Sequence, residues 1–119
     1  MSHLLWVHNR TRGTVLGDRV EMANRFWTRL RGLLGRDGLD RGEGLLIAPS
    51  RGVHMVGMRF PLDVLLLDRN GRVQERFPGL APGEATGMRK AARYALELPV
   101  GTIETTDTHE GDLVEWEQA

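Results

Sequence analysis

Residues 62–68 read Leu-Asp-Val-Leu-Leu-Leu-Asp, and no other stretch constrains the fold as much. In an extended chain successive side chains point to opposite faces. Leu62, Val64 and Leu66 therefore share one face, and Leu65 and Leu67 take the other. A strand apolar on both sides is covered on both sides, so this one is expected to lie centrally. Asn70-Gly71 follows it, a pair that tolerates positive φ and predicts a two-residue type I′ hairpin turn into Arg72–Phe77. In that register Leu65 faces Arg76 and Val64 faces Phe77. Asp63 then shares a face with Arg72 and Arg76, which predicts an ion pair.

Other short strands surround this hairpin. Leu4–His8, Thr14–Met22 (interrupted at Gly17-Asp18), Gly44–Ala48, Arg93–Leu98 and Leu113–Trp116 read as extended, and Val53–Met58 as extended ahead of Pro61. In Arg93–Leu98, Tyr94, Leu96 and Leu98 take one face and Glu97 the other. One amphipathic helix is predicted over Ala23–Leu34, where Ala23, Phe26, Trp27, Leu30 and Leu34 form a single apolar stripe ending at Gly35. Pro78–Gly87 reads as a loop, and Pro99–Thr106 as a short, poor helix. The expectation is one α+β domain over residues 1–119. It is mostly β, an antiparallel sandwich or barrel with the 23–34 helix packed across it.

Composition narrows the function. Sixteen cations balance sixteen acids, which removes the basic excess that nucleic-acid binding needs, and no aromatic ladder compensates. The absence of cysteine excludes disulfides, thiolate metal sites and a cysteine nucleophile. No apolar run approaches a membrane span, and the start lacks a basic, apolar leader, so a cytoplasmic monomer is expected. The glycines lack any nucleotide-loop order.

Ser50–Asp68, S-R-G-V-H-M-V-G-M-R-F-P-L-D-V-L-L-L-D, sets a histidine, two methionines, an arginine and an aspartate around the central strand. This segment resembles the signature of the domain of unknown function 192 family, whose subgroup reads roughly H-T-x-G-M-R-x-P-I-D-V-x-F-L-D. Arg29–Arg36 (R-L-R-G-L-L-G-R) is similar to that family's G-L-M-x-R element. Tyr94–Gly101 (Y-A-L-E-L-P-V-G) is similar to V-L-E-L-x-A-G, and Gly111–Val114 to the closing G-D strand. The resemblance spans residues 14–116 and implies a small, mostly β prokaryotic domain with no established activity. Its characteristic positions fall on Gly32, Leu33, Arg36, His54, Met58, Pro61, Asp63, Glu97 and Gly101. Ser50 stands where relatives often carry cysteine, and Met55 where they carry threonine. Many relatives are exported behind a signal or lipid anchor, and this sequence shows neither.

The candidate site follows from these residues. Arg36, His54, Met58, Arg59, Asp63 and Glu97 are expected to line a pocket for a small polar or anionic ligand, as in an accessory domain. Arg36 and Arg59 would neutralise ligand charge, and His54 and Asp63 would exchange hydrogen bonds with it. No metal and no cofactor are expected, since His54, Met55 and Met58 read more simply as a strand-end histidine and core methionines. One alternative is a hydrolase-like enzyme with His54 and Asp63 as acid/base partners. Another is a protein-interaction module presenting Trp6 or Trp116 in an exposed apolar patch.

Overall fold

A computed structural model describes residues 4–23, 33 and 35–119. Among the described residues the strands are β1 (Leu4–Asn9), β2 (Thr14–Ala23), β3 (Glu43–Ile47), β4 (Leu62–Leu67), β5 (Val73–Leu80), β6 (Tyr94–Leu98) and β7 (Val114–Gln118), and a short helix, α1, spans Thr102–Thr105. They form a single sheet in the order β5-β4-β6-β3-β2-β1-β7. The two ends of that order then meet. Arg72 bridges Leu113, and the Val73 and Val114 amides donate to the Asp112 and Gly71 carbonyls at 2.9 Å. The sheet thereby closes into a barrel, which removes its open edges there.

The architecture is α+β and mostly β, as expected, but the sheet is mixed. β2 and β3 run parallel, from Arg19 opposite Glu43 to Ala23 opposite Ile47, and every other pair is antiparallel. A parallel pair needs a long crossover, usually helical. The helix predicted over Ala23–Leu34 falls on that crossover; 24–32 and 34 lie outside the described residues. Leu33 is helical and buried. Ala23 is a correction: it ends β2, fully buried, and its carbonyl accepts the Ala48 amide at 2.9 Å. Cross-strand hydrogen bonding claims that residue before any helix does.

The β4 strand is central, between β5 and β6, and its two faces divide as predicted. Leu65 and Leu67 join Val7, Leu16, Val20, Leu46, Val73, Leu96, Leu98, Ile103 and Val114 in the barrel interior. Leu62, Val64 and Leu66 face outward into a second core with Leu45, Ile47, Met55, Met58, Phe60 and Ala95. Residues 48–61 and 81–93 roof that second core. They zip together through Met55 to Glu84 (2.8 Å), Thr86 to Val53 (3.0 Å) and Arg89 to Arg51 (2.9 Å), each amide donating to a carbonyl. Val53–Met58 is therefore extended only at its start. His54 bridges Ala85, and the chain then turns at Gly57 so that the Met58 amide reaches the Met55 carbonyl.

Two further expectations are corrected near β5. The hairpin register holds at Leu65–Arg76 and Val64–Phe77, but the loop is not a two-residue type I′ turn. The Gly71 amide donates to the Asp68 carbonyl, only Gly71 has positive φ, and the register slips before Leu67–Val73. That is a three-residue loop with a bulge glycine. Asp68 Oδ1 fixes it by accepting the Asn70 and Arg72 amides. The loop predicted from Pro78 starts later, because β5 runs to Leu80. Pro78 is tolerated there because it adjoins a second bulge, where the ladder shifts between Leu62–Leu80 and Val64–Phe77.

A buried polar cluster ties the barrel end together. Asn9 donates to Thr108 and Asp112, and Arg12 Nε donates to Asp112, each at 3.0 Å. Burial pushes the Asp112 carboxyl up, but hydrogen bonds from Arg12, Asn9 and the His109 amide more than offset this and hold it below its ordinary value. Among the described residues no helix is long and apolar enough to cross a membrane.

Candidate functional site

The six residues expected to form a pocket occupy different environments. Asp63 is buried on β4, and its carboxylate accepts three main-chain amides: Gly79 on Oδ1 at 2.9 Å, Gly101 and Ile103 on Oδ2 at 3.1 and 2.8 Å. The Gly79 amide is available because the β5 bulge releases it from the ladder, with φ at +65°. Gly101 and Ile103 belong to the start of α1, whose first amides lack partners within the helix. Asp63 is thus a three-way anchor between β4, β5 and α1. The ion pair with Arg72 or Arg76 predicted from the register does not form. Arg72 donates to the Gly111 carbonyl, and Arg76 meets Glu110 and the Thr108 carbonyl.

Glu97 is fully buried on β6, in register between Leu45 and Val64. Met58 packs in the outer core, while His54 is exposed on the roof ribbon. Arg36 and Arg59 do converge on the same loop. Arg36 Nη2 lies 2.9 Å from Glu43 Oε1, and Arg59 Nη1 lies 3.4 Å from Asp37 Oδ1 and from the Gly35 carbonyl. The Asp40 amide foremost, and then Arg36, hold the Glu43 carboxyl below its usual range against the opposing effect of burial. Arg36 borders a recess of only about 130 Å³. Both arginines already face an acid.

A much larger concavity, about 900 Å³, opens beside the β4–β5 turn. The roof ribbon supplies Pro49–Gly52 and Met88–Arg93 except Arg89, and the β4–β5 turn supplies Asp68–Asn70. Four cations line it: Arg51, Arg69, Lys90 and Arg93. Among the described residues none of their charged groups has an ion pair or hydrogen bond. The one acid present, Asp68, spends Oδ1 on the turn amides and Oδ2 on Gln74. Neighbouring Arg89 differs, because Glu75 holds it through both carboxylate oxygens and raises its pKa. A molecule with no net charge therefore carries a local positive field at one concave place, where low-dielectric walls strengthen it.

A second concavity of about 360 Å³ adjoins the first and shares Arg69 and Asn70 with it. Tyr94 and Trp116 line it, packed edge to face with ring centroids 4.8 Å apart, together with His8, Glu115 and Glu117. Trp116 and Tyr94 also rest against the barrel interior, and Trp6 stacks on His8 at 4.4 Å. The tryptophans are thus partly buried by their own protein, which weakens the docking-patch expectation made for them.

Sequence reasoning missed the four cations of the large concavity. Their only linear trace is Met88–Arg93, where Arg89, Lys90 and Arg93 crowd together without an acid, and Arg69 beside the Asn-Gly turn.

A barrel closed where its β4–β5 hairpin meets β7, and roofed by two zipped loops, defines a small β-barrel class of protein, and comparison assigns its family. The chain belongs to the domain of unknown function 192 family, described as an uncharacterized ACR, whose model matches residues 7–116. It is 33% identical over 114 residues to a UPF0127 protein of Thermococcus gammatolerans, covering 92% of this chain and 73% of that one. A UPF0127 protein of Pyrococcus furiosus is 30% identical over 113 residues, covering 91% and 95%. Two crystal structures share the fold. A Novosphingobium aromaticivorans protein of unknown function matches with a TM-score of 0.78 and 24% identity, over 94% of this chain and 83% of its own. A Sinorhizobium meliloti protein described as a candidate transcription regulator matches with a TM-score of 0.78 and 23% identity, over 98% and 96%.

Proposed function

We propose that this protein binds a small anionic ligand in the concavity between the roof ribbon and the β4–β5 turn. The observation that carries this is the set Arg51, Arg69, Lys90 and Arg93, four cations around one hollow with no acid engaged to them among the described residues. Unpaired guanidinium and ammonium groups are poised for charge-assisted hydrogen bonds, and guanidinium forks suit phosphate and carboxylate oxygens. The ligand class expected from the sequence is kept, and its place moves from Arg36 and Arg59, which already face Glu43 and Asp37. A hydrolase using Asp63 as a base finds no support, since that carboxylate is buried and bonded to three amides.

Titration of the ¹⁵N-labelled protein with inorganic phosphate tests the reading. Amides of residues 50–52, 68–70 and 88–93 should shift saturably, and binding should weaken as ionic strength rises. The Arg51→Ala/Lys90→Ala double variant removes two exposed side chains and should weaken binding by roughly tenfold. Equal affinity in parent and variant, or shifts confined to the Arg36 recess, would overturn the assignment.

A further inference from the structure

Resting on that anion-binding reading, we infer that the ligand is a nucleoside phosphate, held with its phosphate in the cationic hollow and its base against Trp116. The two concavities meet at Arg69 and Asn70, and Arg93 of the first is followed directly in the chain by Tyr94 of the second. They differ in chemistry along that line. The first offers four unengaged cations, and the second offers the Tyr94–Trp116 aromatic pair together with Glu115 and Glu117 in its lining.

A simple anion such as phosphate or a dicarboxylate uses only the first hollow, and an acid-lined second hollow gains it nothing. A ligand that fits both has an anionic end and, at the other, a planar group that carries hydrogen-bond donors. An aminated base on a sugar phosphate combines these groups. Its π face stacks on an aromatic ring, and its exocyclic amine donates to a carboxylate. Glu117 is exposed and has no ion pair among the described residues, whereas Glu115 is engaged by Arg10 at 3.3 Å and approached by His8 Nε2 at 3.6 Å. Glu117 is accordingly the acceptor assigned to the amine.

Calorimetric titration of the whole chain with inorganic phosphate, ribose 5-phosphate, adenosine 5′-monophosphate and inosine 5′-monophosphate tests this. Adenosine monophosphate should bind roughly tenfold more tightly than ribose 5-phosphate, the gain of one stacked base. It should also exceed inosine monophosphate, which lacks the amine, and Glu117→Gln should narrow that difference. Trp116→Ala should bring adenosine monophosphate down to the level of ribose 5-phosphate and leave the latter unchanged. The ligand series on the parent protein decides the question even where that variant fails to fold. Equal binding of ribose 5-phosphate and adenosine monophosphate would overturn this inference while leaving the anion site standing. Failure of all four ligands to bind would overturn both. Much tighter binding of a single-stranded hexanucleotide than of the mononucleotide would overturn the assignment to a free nucleotide.

Discussion

Asp63 shows how one side chain holds three elements. Three amides point at its buried carboxylate: the Ile103 amide would otherwise face a dry interior, and those of Gly79 and Gly101 are engaged in part-buried bonds. Asp63→Ala removes the acceptor of all three and leaves the buried Ile103 amide unsatisfied, and equilibrium urea unfolding should show a loss of about 3 kcal/mol or more. Asp63→Asn should recover only part of this, because its amide nitrogen must confront the Gly79 donor or the other two. A loss under about 1 kcal/mol for the alanine variant would show that these bonds form with little net effect. The role of this residue was half legible. The sequence marks a carboxylate in an apolar strand as needing partners, and the nearby arginines looked sufficient. The partners are amides 16, 38 and 40 residues away, freed by a bulge and a helix start that no local pattern encodes.

At the scale of elements, the β4–β5 hairpin both pairs its strands and closes the barrel. Gly71 sits at the point where these jobs coincide: its φ is +88°, and a Cβ there would lie 2.4 Å from the Val114 carbonyl oxygen. Gly71→Ala is expected to lower stability by at least about 2 kcal/mol in a urea titration, from left-handed strain plus that collision. Gly83→Ala is the control, because its φ is also positive but the space around it is open; it should cost about 1 kcal/mol. Equal losses in the two variants would mean that barrel closure places no demand on Gly71. The hairpin itself was legible because alternation and a turn dipeptide are local signals. Its loop type was not, since Asp68 and the closing β7 segment select a bulged three-residue turn over the tighter one.

Across the whole molecule, β4 separates two apolar cores and contributes to each. Leu65 belongs to the barrel interior and Leu66 to the layer under the roof, and both are fully buried. Because one strand serves both, the cores should unfold together. Leu65→Ala and Leu66→Ala should each cost about 2–5 kcal/mol and keep coincident transitions by tryptophan fluorescence and far-ultraviolet circular dichroism. Separate transitions in Leu66→Ala would show instead that the roof melts independently of the barrel.

The chain alone determined where most strands lie, the two-faced character of β4 and the faces of β6, because the period of a strand is written in consecutive residues. It also carried the family resemblance, in motifs that are contiguous. Tertiary structure decided the parallel β2–β3 pairing, the closure of Arg72 on Leu113 and the partners of Asp63. It also decided which arginines stand beside acids and which gather with Lys90 around a hollow. Those outcomes depend on distances between segments far apart in sequence, and side-chain charge by itself carries no record of what the folded chain will bring opposite it.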